Sequence, residues 1–92
     1  MRLVADIETN GLLRQLDPKI HCLVTQDLDT GEVLRYDDSG QYESIVTGLK
    51  YLECADEVWG HNWVSFDEEF IRELYPWFKP QGYVYDLSLI HI

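Results

Sequence analysis

Residues 1–13 read MRLVADIETNGLL, and this stretch decides the fold. Arg2 to Ile7 is apolar and β-prone, a strand suited to burial, and Asn10-Gly11 breaks it. Two carboxylates, Asp6 and Glu8, sit one residue apart at its end. Strand side chains alternate, so both project to the same face. Desolvating a carboxylate is costly unless something positive stands beside it. A solvated strand end or a turn-capping aspartate explains the pair blandly. A divalent cation between the two explains it chemically, and oxygen-only ligands suit Mg²⁺ or Mn²⁺.

Downstream, Ile20 to Asp27 reads as a second strand, Asp29-Thr30-Gly31-Glu32 as a hairpin turn and Val33 to Tyr36 as a third strand. Tyr42, Ile45, Val46, Leu49 and Leu52 recur at helical spacing and predict a helix over 41–53, capped by Asp38 or Ser39. Glu57 to Gly60 predicts a short strand, Asp67 to Tyr75 a helix ended by Pro76 and Pro80, and Tyr83 to Tyr85 a last strand. The order β-β-β-α-β-α-β predicts an α/β fold. Three antiparallel strands are followed by parallel strands alternating with helices in one mixed sheet.

Ninety-two residues suffice for one domain or part of one. Seven basic against seventeen acidic residues give a net charge of −10, which argues against a general nucleic-acid binder. It leaves room for an enzyme whose acids hold cations. Cys22 and Cys54 lie in apolar settings and are expected to be free, buried thiols. The N-terminus does not read as a signal peptide, and no apolar run approaches the roughly 20 residues of a membrane span. A cytoplasmic protein, of a cell or of an infected host, is the expectation.

A second constellation is GHNWVSFDEEF, residues 60–70. It follows a strand and opens a helix, the junction where ligands collect in open α/β sheets. Asp67 at a helix start also has a plain reading, since acids there cap amides and complement the helix dipole.

Together, D-x-E-T-x-G-L (Asp6 to Leu12) and H-N-x-x-x-F-D (His61 to Asp67) resemble the first two motifs of the DEDD 3′–5′ exonucleases, the proofreading domains of DNA polymerases and their relatives. Their spelling is most similar to the N-terminal exonuclease domain of T7-like phage family A DNA polymerases. Tyr83-Val84-Tyr85-Asp86-Leu87 resembles the short strand that follows the second motif in that family, where Thr-Leu usually succeeds the Asp. The resemblance spans residues 1–86 and implies a ribonuclease H-like fold. It implies that Asp6, Glu8 and Asp67 hold two divalent metal ions, Mg²⁺ or Mn²⁺, at the scissile phosphate of a single-stranded DNA 3′ end. By the same likeness Thr9 meets the terminal 3′-OH and Leu12 presses on the terminal base. Asn62 reaches the phosphate or its attacking water, Phe66 lies against the penultimate nucleotide, and His61 touches the strand. Core packing is the competing reading for Leu12 and Phe66. A polymerase domain in the full-length chain would deliver the primer end.

The family's third motif, Y-x-x-x-D or H-x-x-x-D, does not occur after Asp86. The expectation is therefore an incomplete domain that binds metal weakly, with little or no activity alone. Leu87–Ile92 back-translates without strain to CTG TCT CTT ATA CAC ATC, the transposon end of a common sequencing-library method, and is expected to be adapter read-through. Two other readings share these features. One is a stand-alone DEDD nuclease acting on RNA or short oligonucleotides. The other is a non-catalytic acidic interaction module.

Overall fold

The computed structural model describes residues 1–10 and 18–89, without the side chains of Ser65 and Leu89. β1 (Arg2–Thr9), β2 (Ile20–Asp27) and β3 (Val33–Tyr36) are followed by α1 (Ile45–Glu53), β4 (Glu57–Gly60), a π-helical turn (Trp63–Asp67), α2 (Glu68–Leu74), β5 (Tyr83–Asp86) and a 3-10 turn (Leu87–Leu89). The five strands form one sheet in the order β3-β2-β1-β4-β5. β1 runs antiparallel to β2 and β2 to β3, while β4 and β5 continue the sheet in parallel. This α/β mixed sheet is compatible with a ribonuclease H-like fold.

The tight turn after β2 is built by Asp27, whose carboxylate accepts from the amides of Asp29 and Thr30, with Gly31 at φ +80°. On β1, Leu3, Ala5 and Ile7 are buried while Asp6 and Glu8 are exposed, the alternation expected of a strand covered on one face. Leu23, Thr25, Tyr36 and Val58 share that covered face by register and are buried there. Ile45, Leu49, Leu52, Trp63, Phe70 and Ile71 join them in one core. The opposite face carries Val33, Tyr83 and Tyr85, all exposed, and Trp59, whose indole stacks on Tyr85 at 4.3 Å.

Three expectations are corrected. α1 starts at Ile45, four residues late, because Asp37, Ser39 and Asp38 spend their side chains on local turn bonds. Ser44 is the cap, accepting from the Thr47 amide, while Asp38 accepts from the Ile45 amide; Tyr42 lies outside the helix and is half exposed. Second, Asp67 closes a π turn and stands at the N-cap of α2 without a side-chain cap bond, and α2 runs Glu68–Leu74, one residue shorter at each end than expected. Third, Cys54, just past the end of α1, is exposed, and only Cys22 is buried.

Gly48 sets how closely α1 approaches the sheet. A β-carbon there would fall 2.5 Å from the Tyr36 ring and 2.8 Å from a Leu23 methyl. Gly48→Ala gains helix propensity of about 1 kcal/mol but overpacks the interface by about 1–3 kcal/mol. A net loss of about 1 kcal/mol is expected, read as a lower urea midpoint; a raised midpoint would show the interface to be slack.

Candidate functional site

The site is assembled at the end of the sheet where β1, β4 and β5 finish. β1 delivers Asp6 and Glu8 on its exposed face, and a bulge between Glu8 and Thr9 shifts the pairing so that Thr9 faces Ile20. His21 is the extra residue on β2 and is exposed. Thr9 is half-buried at the strand end.

The other wall is the segment after β4. Asn62 adopts a left-handed backbone, φ 56°, ψ 25°, a conformation that asparagine tolerates better than most residues. It sends the chain into the π turn, where the Asn62 carbonyl accepts from the amides of Phe66 and Asp67. Trp63 is fully buried and wedges this turn against the sheet; Gly60 leaves the room, since a β-carbon there would meet the Trp63 β-carbon at 2.9 Å. Phe66 is 38% exposed, its ring 6.0 Å from that of Phe70. His61 and Asn62 are exposed.

The turn aims Asp67 inward. Its side chain is buried, the Ile7 amide donates to it, and its Oδ2 has no hydrogen-bond partner. Burial first, then the charge of Asp6, pushes its pKa up to about 7; the charges of Asp86 and Glu8 add to this, and the Ile7 amide opposes it. All three sequence-marked acids therefore lie within electrostatic reach of one another. Leu12 lies outside the described residues.

Asp86, at the end of β5, was not singled out from the sequence as a site residue, yet it is a buried acid within electrostatic reach of Asp67. Its Oδ1 accepts from the Ser88 amide at 2.9 Å and the Ser88 hydroxyl at 2.6 Å, and its Oδ2 from the Val64 amide at 2.9 Å. These bonds, Ser88 first, with a further one from the Asn62 amide, hold its pKa below the usual carboxylate range. Two neighbouring buried acids are thus driven in opposite directions, a pattern typical of functional sites. The sequence signals for Asp86 were its place at a strand end and the likeness of Tyr83–Leu87 to the family's strand after the second motif.

Among the described residues, no three His, Cys, Asp or Glu side chains are already drawn to metal-ligand spacing. The donor set is nonetheless suited to a hard cation: carboxylate oxygens only, one of them buried and unpartnered. Among the described residues, no helix is long and apolar enough to cross a membrane.

No family model matches the chain, and no curated relative matches it. Among solved structures it is similar to the family B DNA polymerase from the hyperthermophilic archaeon Pyrobaculum calidifontis. The two share 22% identity with a TM-score of 0.61, over 77% of this chain and 10% of that one. At that identity the likeness is one of fold, and the chain spans a tenth of the polymerase's length. The polymerase is of family B, so the fold match does not extend to the T7-like family A suggested by motif spelling. What the comparison shows is a shared α/β fold.

Proposed function

We propose that the chain is a metal-dependent 3′–5′ exonuclease domain of a DNA polymerase, acting on the terminal phosphodiester of a single-stranded 3′ end. One observation carries this reading. A buried carboxylate with an unpartnered oxygen, Asp67, stands beside the two acids of β1. Leaving such an oxygen unpaired is costly, and a cation would relieve both its isolation and the repulsion among the three acids.

Asp6, Glu8 and Asp67 would hold the two divalent ions. When bound, such ions neutralise the scissile phosphate and lower the pKa of the attacking water. Thr9, at the end of β1, would meet the terminal 3′-OH. The exposed Phe66 ring offers an apolar surface to a base without regard to its identity. Asn62, exposed at the start of the π turn, would reach the phosphate or its attacking water. The family A spelling of the motifs and the polymerase-like fold both support a polymerase context, and a polymerase domain is the partner proposed.

The test is thermal unfolding against MnCl₂ and MgCl₂. At ten times Kd a ligand specific to the folded state adds about 1.4 kcal/mol, roughly 6–11 °C for a domain of this size. That gain should vanish in Asp6→Ala and Glu8→Ala. Indifference to both cation and substitution would overturn the reading and favour an acidic interaction module.

A further inference from the structure

The Asp86 carboxylate is the meeting point of four donors: the amides of Asn62, Val64 and Ser88 and the Ser88 hydroxyl. A carboxylate has about four acceptor sites and no donor, so it can satisfy all of them. An asparagine would turn an NH₂ toward donors. Two of the four, Asn62 and Val64, flank the start of the π turn, where the backbone holds its left-handed conformation. That conformation is unfavourable by itself and persists only where its surroundings over-determine it. Five residues on, the same turn ends at Asp67.

We infer that Asp86 is a positioning residue: by gripping the amides of Asn62 and Val64 it fixes the turn that carries Asp67 toward Asp6 and Glu8, without itself touching the cation or the substrate. This deepens the exonuclease reading and rests on it. β5 is thereby made part of the site's frame. The grip is ionic and buried, so it is strong and directional. Ser88 occupies the other carboxylate oxygen, Oδ1, and orients the group rather than the turn.

The experiment compares the parent chain with Asp86→Ala, Asp86→Asn, Ser88→Ala and Val84→Ala, the last a packing control from the same strand. Two quantities are read: hydrogen exchange of the Asn62 and Val64 amides relative to β1 and β2, and Mn²⁺ affinity by water-proton relaxation. Asp86→Ala should speed exchange of both amides and weaken Mn²⁺ binding, each by about 10-fold or more, the usual penalty for losing an outer-sphere support. Asp86→Asn should fall between, and serves if the alanine variant does not fold. Val84→Ala should leave Mn²⁺ affinity within about twofold, as a residue outside the grip, while Ser88→Ala, which removes a donor that orients the carboxylate, should fall between it and Asp86→Ala. The inference is overturned if exchange is unchanged in both Asp86 variants, if exchange quickens while Mn²⁺ affinity holds, or if Val84→Ala weakens Mn²⁺ equally. A parent chain without Asp6-dependent Mn²⁺ binding instead sinks the nuclease reading, and Asp86's service to it. Normal binding in parent and Asp86 variants alike sinks only the inference.

Discussion

Asp67→Asn should make the cation-free protein markedly more stable at pH 8. In the folded chain the Asp67 carboxyl keeps its proton to about pH 7, against an ordinary value of 3.8, chiefly because it is buried and next because Asp6 is near. Between those two values the folded state binds more protons than the unfolded one, so this group lowers stability as pH rises from about 4 to about 7. Above pH 7 the full cost is present; below about pH 4 there is none. A shift of this size corresponds to roughly 2–4 kcal/mol. Asparagine carries no charge to bury and still offers an oxygen to the Ile7 amide. Unfolding at pH 5 and pH 8 should therefore converge in the variant and diverge in the parent. A parent chain as stable at pH 8 as at pH 5 would show that Asp67 is not confined as described. The same linkage makes cations more effective at high pH, where they no longer compete with a proton. Mn²⁺ stabilisation of the parent should grow from pH 6 to pH 8 and be largely absent in Asp67→Asn.

Gly82→Ala should come close to abolishing the fold. A β-carbon there would lie 2.1 Å from the Asp56 carbonyl oxygen and 2.4 Å from that of Ala55. Both obstacles are backbone, and the Asp56 carbonyl is itself engaged by the Tyr83 amide at 2.9 Å. Relief requires moving β5 away from β4, which breaks the entry to that strand pair. A loss of about 3–5 kcal/mol is expected, against a total of about 5–14 kcal/mol for a chain this long. Gly40 is the contrast: its φ of +94° is strained for other residues, but nothing lies within 4 Å, and alanine there should cost about 1–2 kcal/mol from conformation alone. Far-UV circular dichroism in urea separates the two. A Gly82→Ala midpoint near the parent's would show that β5 docks loosely.

The strands were legible because their patterning is local. β2, β3 and β4 begin and end where their apolar runs do, and the acid pair on β1 follows from alternation alone. The start of α1 was not, because Asp37, Asp38, Ser39 and Ser44 offer competing local bonds and propensity cannot rank them. The π turn was illegible for a different reason. It depends on Asn62 taking a left-handed backbone, on Gly60 making room for Trp63 and on Asp86 reaching across 22 residues to the Val64 amide. Periodicity cannot report contacts so distant in sequence. The placement of Asp67 beside Asp6 comes from that turn, so the sequence marked the acids but not what brings them together.

The uncovered side of the sheet has a kinetic consequence. Asp6 and Glu8 face outward there, and among the described residues no helix roofs them. The chain's net charge of −10 draws a cation toward these two exposed acids. Encounter rates near 10⁸–10⁹ M⁻¹s⁻¹ are expected for such attraction. Exchange at Asp6 and Glu8 should therefore be fast, giving averaged rather than separate resonances for bound and vacant molecules.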